Sequence, residues 1–106
     1  MRDTMEIEAP DGSRMGLIRK ALITPLRERF EVEVPGRPEL KVRGSILDHE
    51  YEVKREGDKV AEVSKKWLRM RDTYGIEVAP GEDTVLFLAI AVALDAMQHD
   101  DDAEPE

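Results

Sequence analysis

An unbroken apolar run near the C-terminus constrains the fold of this chain more than any other feature. Residues 85–94 read VLFLAIAVAL and have no polar face. Four alanines in 89–96 favour helix over strand, and Asp83 or Thr84 is a typical helix N-cap. The pattern therefore predicts a helix over 83–98 that is buried on nearly all sides. A central strand is the alternative interpretation.

Upstream of residue 79 the apolar residues mostly alternate with polar ones, which is the period of a β-strand. Turns that contain glycine or proline separate these segments, so the pattern predicts an antiparallel meander with one apolar and one charged face. The predicted strands are 4–8, 15–20, 29–34, 39–44, 50–55, 59–64 and 72–78. Segments 21–28 and 65–71 are predicted to be irregular or short strands. The expected fold is mainly β with one C-terminal helix.

The length of the chain and the distribution of its charge indicate one domain followed by an acidic tail. With 106 residues the chain fits a single domain, which we place at 1–98. Acidic residues outnumber basic ones 24 to 16, which gives a net charge of −8. Residues 99–106 (HDDDAEPE) contain carboxylates and no base, so they predict a disordered acidic tail. An acidic interaction tail or a solubility device is the alternative.

Composition also excludes several functional classes. The chain has no cysteine, hence no disulfide, no thiol nucleophile and no zinc site of the usual cysteine type. The acidic balance argues against nucleic-acid binding. No apolar run reaches the length of a transmembrane segment, and the N-terminal residues lack a secretion signal pattern. We expect a cytoplasmic protein without a cofactor.

A short repeat links the two ends of the strand region. The motif MRDT occupies residues 1–4 and recurs at 70–73, and the segments 5–23 and 51–68 are similar in pattern. Each segment contains an alternating strand, a turn with glycine and a second strand ending in a basic pair. The repeat predicts a duplicated hairpin. By the same logic, we expect a further hairpin before residue 1, which would be absent because the chain is a natural short form, because its start was assigned late or because it was cut.

Several motifs together resemble a known family. The stretches GSILDHEY (44–51), KVAEVSKK (59–66) and DTY (72–74), followed by residues 82–95 with their apolar helix, are similar to the C-terminal half of the LURP-one-related family. Residues 1–34 resemble the middle of that family. It belongs to the Tubby C-terminal-like superfamily, with the phospholipid scramblases as relatives. The resemblance implies a closed antiparallel barrel of about a dozen strands around one apolar helix, as in other β-barrels with a central helix.

Seven strands are too few for such a barrel. An eight-stranded barrel is only just filled by its own side chains, and a helix is about 10 Å across. We therefore expect an incomplete barrel whose helix is open on one side. A second copy, swapped strands or a missing partner segment would cover that side.

The sequence gives little indication of catalysis. His49 lies between Asp48 and Glu50, which invites a metal-site hypothesis, but alternation along a strand would place the carboxylates on the face opposite the histidine. An ordinary polar strand start is the preferred interpretation. No nucleophile elbow and no phosphate loop occurs. We predict no catalytic residue, no metal site and no enzymatic activity.

Basic residues provide the one candidate binding site. Two clusters of basic residues follow the two similar hairpins, at 19–29 and 65–71. Trp67 lies in the second cluster, and we interpret it as a core or barrel-end residue rather than a lipid anchor. The candidate ligands of an anionic headgroup are Arg19, Lys20, Lys65, Lys66, Arg69 and Arg71. Tubby-type relatives bind phosphoinositides through basic residues, although none of their positions maps onto this chain. A solvated charged face is the alternative.

Two functional hypotheses follow. The first is a non-catalytic, small β-barrel-type binding or scaffold domain of unknown ligand. The second is peripheral binding of anionic phospholipid headgroups through the two basic clusters.

Overall fold

The computed structural model describes residues 4–23, 28–65 and 75–103. One antiparallel sheet contains seven strands in chain order, so that β1 and β7 are its edges. The strands are β1 (Thr4–Glu8), β2 (Arg14–Ile23), β3 (Glu28–Glu33), β4 (Leu40–Ser45), β5 (Glu50–Arg55), β6 (Asp58–Ser64) and β7 (Gly75–Val78), and a helix α1 (Thr84–Ala103) follows them. The sheet curls into a half-barrel, and α1 approaches both β1 and β7.

The predicted strands are confirmed, with changes at their ends. β1 and β5 have the predicted bounds, whereas β2 continues three residues past its predicted end, to Ile23. The remainder of segment 21–28 is split, because 24–27 lie outside the described residues and β3 begins at Glu28. The predicted start of β7 and most of segment 65–71 also lie outside them.

The two similar segments of the repeat form the hairpins β1–β2 and β5–β6. Each hairpin contains a register shift, after Ile7 in the first and after Val53 in the second. Such bulges bend a strand and increase its twist, which helps the sheet to curl. The MRDT motifs themselves fall almost entirely outside the described residues.

A glycine allows two neighbouring strands to approach closely at the end of β4. Gly44 has a φ of 139°, in the region that favours glycine. A Cβ atom at this position would lie 2.5 Å from the carbonyl oxygen of Glu50, on β5. Any other residue would force β4 and β5 apart here.

The helix begins as predicted and ends later. The backbone N–H of Leu86 donates to Oδ1 of Asp83 at 3.2 Å, so Asp83 is the N-cap. The predicted end at 98 is wrong, because the backbone stays helical to Ala103 and includes the first part of the acidic tail. No glycine or proline interrupts the segment before Pro105, which explains the continuation.

The core lies between the inner face of the sheet and one side of α1. The sheet contributes fully buried residues from β2, β3 and β4, among them Ile18, Phe30 and Val42, and the helix contributes Phe87, Ile90, Leu94 and Met97. Burying each such side chain contributes about 1.5–3 kcal/mol. The fold is therefore an antiparallel sheet wrapped around an apolar helix, as predicted.

The prediction that this helix is buried on nearly all sides is wrong. The side chains of Val85 and Val92 are each 66% exposed, and that of Leu88 is 46% exposed. Seven strands cover one side of α1 and leave these residues uncovered. The expectation of an incomplete barrel is thereby confirmed.

Candidate functional site

An open apolar groove separates the exposed side of α1 from the first strand. Val85, Leu88 and Val92 follow one another along the helix and form what we call the outer stripe. With Met5 and Ile7 of β1 they line a groove of about 530 Å³, whose remaining residues are Glu6, Ala89, Ala93 and Ala96. Contiguous exposed apolar surface makes this groove a candidate site of interaction.

The free edge of the sheet borders the same groove. β1 pairs with β2 on one side, and no other strand among the described residues pairs with it on the other. Ile7 is buried and Met5 half-buried on the inner face, whereas Glu6 and Glu8 are exposed on the outer face. An added strand would therefore meet apolar side chains on one face and carboxylates on the other.

The start of α1 is attached to the sheet by an ion pair. Nη1 of Arg55, at the end of β5, lies 2.9 and 2.8 Å from the two carboxylate oxygens of Glu82. Both side chains are mostly buried, with exposures of 14% and 18%. Nε and Nη2 of Arg55 have no hydrogen-bond partner in the described part of the chain. The pair links the end of β5 to the segment directly before α1.

Of the predicted headgroup ligands, Arg19 is the best defined. Its Nη2 atom lies 3.3 Å from Glu31, 3.1 Å from Glu33 and 2.9 Å from Glu39. These carboxylates on β3 and before β4 surround Arg19 with negative charge. An anionic ligand would have to compete with them.

The other five predicted ligands are scattered or lie outside the described residues. Lys20 is half-buried on β2, and Lys65 is exposed just after β6, where its backbone N–H donates to Glu50 at 2.9 Å. Three strands separate β2 from β6, so these lysines do not lie on neighbouring strands. Lys66, Arg69 and Arg71 are outside the described residues, as is Trp67. Headgroup binding by the six bases stays a prediction.

A different basic group lies on the outer face of the sheet. Arg29 and Arg43 are directly opposite on β3 and β4, and Lys41 and Lys54 are directly opposite on β4 and β5. All four line a shallow depression of about 170 Å³. We call these four residues the outer basic group. Sequence reasoning missed it, because alternation assigns each base to the charged face but does not reveal its partner across the strands.

The Asp48-His49-Glu50 segment does not form a metal site in the structure. His49 lies in a turn, with a φ of 55°, and its backbone N–H donates to the carbonyl of Ile46. Asp48 contacts the hydroxyl of Ser45, whereas Glu50 accepts a hydrogen bond from Ser64 at 2.8 Å. Within the described ranges, no group of three His, Asp or Glu side chains is arranged to hold a metal.

The shifted pKa values belong to solvent-exposed side chains. Hydrogen bonding to Glu6 raises the pKa of Arg14, and hydrogen bonding to Glu62 raises that of Lys59. Hydrogen bonds from Ser13 lower the pKa of Asp11. Each shift stabilises the ionised form that these groups already adopt at neutral pH, so none of them suggests an acid or base poised for catalysis.

The part of the chain that the structure describes contains no helix with the length and apolar character needed to cross a bilayer.

A curled antiparallel half-barrel around one C-terminal apolar helix defines the class of this protein. Residues 1–95 match the model of the family described as LURP-one-related, and the chain belongs to that family. It is similar to the uncharacterized protein YxjI of Bacillus subtilis (strain 168). The two sequences are 25% identical over an alignment 123 residues long, gaps included, which covers 96% of this chain and 75% of YxjI. No solved structure matches the chain.

Proposed function

We propose that this chain is a non-catalytic binding or scaffold domain whose binding surface is the groove between β1 and α1. One observation carries the proposal: the outer stripe of the helix is exposed directly beside a free sheet edge. The lack of cysteine supports a cytoplasmic location.

The groove has the chemistry to accept an extended strand. A strand that pairs with β1 gains main-chain hydrogen bonds, and its alternate side chains point to the same face. Side chains on its inner face would cover the outer stripe and should be apolar. Side chains on its outer face would lie beside Glu6 and Glu8, so basic residues suit them. The occupant we propose is therefore a strand in which apolar and basic residues alternate.

A peptide titration tests this proposal. We expect a synthetic peptide of alternating valine and lysine to bind the chain, and one of alternating valine and glutamate to bind far more weakly. Val92→Lys should abolish binding, because it places a charge in the groove. Leu47→Lys is the matched control, since Leu47 is 62% exposed in a turn away from the groove.

Light scattering after size-exclusion chromatography tests whether the occupant of the groove is a strand from a second copy of the chain. A dimer that dissociates in the Val92→Lys variant but persists in Leu47→Lys would place the strand of one copy in the groove of another. A monomer that binds neither peptide nor an apolar dye would contradict the proposal.

Peripheral binding of anionic phospholipid headgroups is the second candidate. The predicted clusters 19–29 and 65–71 supply the bases, and exposed Arg29 favours it, because no described residue forms an ion pair with this side chain. Co-sedimentation with phosphoinositide vesicles tests it. We expect binding that weakens with salt and is reduced by charge reversal at Lys65 and Lys66.

A further inference from the structure

The outer basic group concentrates positive charge where the fold gives it little compensation. Like charges directly opposite on neighbouring strands are destabilising, yet two such pairs, Arg29–Arg43 and Lys41–Lys54, lie side by side. The chain as a whole is acidic, with a net charge of −8. The depression is lined by four bases and two acids, so its local charge has the opposite sign.

Of the two carboxylates nearest in register, Glu31 is paired outside the group and Glu52 is paired with only one of its four bases. Glu31 lies across from Lys41 but contacts Arg19 at 3.3 Å, and Glu52 lies across from Arg43 but contacts Lys54 at 3.5 Å. Among the described residues, Arg29, Lys41 and Arg43 form no ion pair. Arg29 and Arg43 are also exposed, which leaves their guanidinium groups accessible.

We propose that the outer basic group binds a phosphate-bearing anion. Phosphate oxygens match the planar fork of arginine, and lysine adds point charges around them. A volume of about 170 Å³ is smaller than the roughly 300–1,000 Å³ of pockets for drug-sized molecules. The depression therefore suits a phosphate group rather than a large organic ligand.

This site is independent of the strand-binding groove, because the outer basic group lies on β3, β4 and β5 whereas the groove is lined by β1 and α1. It goes beyond the second proposed function, because it places an anion on different residues. Only Arg29 is shared with the predicted clusters 19–29 and 65–71. The phosphate could belong to a soluble compound or to a lipid headgroup, and the binding chemistry is the same.

Two probes distinguish these sources. Inorganic pyrophosphate, titrated calorimetrically at low salt, represents a soluble ligand. Phosphatidylcholine vesicles with and without phosphatidylinositol bisphosphate represent a lipid. Binding of pyrophosphate indicates a soluble source, and binding only of the phosphoinositide vesicles indicates a headgroup. Either result supports the site if it depends on the outer basic group, whereas no binding of either probe overturns it.

The double variant Lys41→Gln, Arg43→Gln tests that dependence. We expect its affinity for the bound probe to fall at least about tenfold, since each base near a phosphate contributes to the free energy of binding and the variant removes two of them. Arg37→Gln is the charge control, because Arg37 is exposed in the turn before β4 and does not line the depression. Equal weakening by Arg37→Gln would overturn the site. So would a loss caused instead by Lys65→Gln, Lys66→Gln, which would support the predicted cluster.

Stability in the absence of any anion provides a second readout. Removing one of two opposed charges should relieve repulsion, so Arg43→Gln should raise Tm by about 1–5 °C. If pyrophosphate is the probe that binds, it should raise the Tm of the unaltered chain and not that of the double variant. A lower Tm for Arg43→Gln would show that the facing charges carry no cost and would remove the basis of the proposal.

Discussion

The two sides of α1 have the same chemistry and opposite surroundings. Phe87, Ile90 and Leu94 on the inner side are at most 1% exposed, whereas the outer stripe is 46–66% exposed. Ordinary surface helices carry polar residues on their outward side. The difference teaches that burial here is set by the number of strands available to cover the helix, because the described sheet leaves an equally apolar outer side uncovered.

The same substitution on each side gives the sharpest test of this comparison. Leu94→Ala should lower the free energy of unfolding by about 2–5 kcal/mol, because it leaves a cavity in the core. Leu88→Ala should lower it by less than about 1 kcal/mol, since the side chain is already half in water. Urea denaturation of both variants at low protein concentration measures the difference. Equal losses would show that something covers the outer stripe in solution.

The ion pair at the start of α1 holds the inner side against the sheet. Glu82→Gln should cost about 1–3 kcal/mol of stability, because Arg55 would keep its charge in a mostly buried place without its carboxylate. The double variant Arg55→Met, Glu82→Leu should recover much of that loss. Removing the exposed partner of Arg14 with Glu6→Gln serves as the control and should have a far smaller effect, since the side chains of Arg14 and Glu6 are 50% and 37% exposed. Similar losses in the two single variants would show that burial of the Arg55 pair is unimportant.

The N-cap stabilises the whole helix rather than one side of it. The loss of stability in an N-cap variant therefore provides a reference for the losses measured on the inner and outer sides. Asp83→Ala should cost about 1 kcal/mol, because the N–H of Leu86 loses its acceptor. Asp83→Asn should retain most of the stability, since an amide oxygen can accept the same bond. Thermal unfolding of both variants distinguishes these results. A full loss in Asp83→Asn would mean that charge, rather than the hydrogen bond, is responsible.

The elements with a strong period could be predicted from sequence. Alternation in segments such as 50–55 gave strand bounds that match β5, and the apolar run gave the helix and its N-cap at Asp83. The late end of α1 was missed because a run of acidic residues suggests disorder, although the run contains no proline or glycine before Pro105. The incomplete covering of α1 followed from geometry, since seven strands cannot enclose it.

The candidate sites could be predicted only in part. The sequence indicated two basic clusters, 19–29 and 65–71, but bases that are close along the chain are not the ones that are close in space. Arg29 and Arg43 are neighbours because of the β3–β4 register, which depends on the turn and on Val32 pairing with Leu40. Arg19 was predicted to be a ligand because the sequence alone does not show which residues lie beside it. In the structure its guanidinium group contacts three carboxylates from β3 and from the residue before β4.

A nearly isosteric substitution gives the smallest expected effect and the cleanest separation of the two sides. Val92→Thr exchanges a methyl group for a hydroxyl at a position that is 66% exposed, so stability should change by no more than about 0.5 kcal/mol. Val63→Thr is the matched control in the core, where Val63 is 1% exposed and a hydroxyl without a partner costs about 1–3 kcal/mol. Denaturation at two protein concentrations measures both. If the groove binds a strand, Val92→Thr should weaken that binding and leave the stability of the monomer unchanged. The free-energy cost of desolvating the hydroxyl arises only when the bound strand excludes water from the outer stripe.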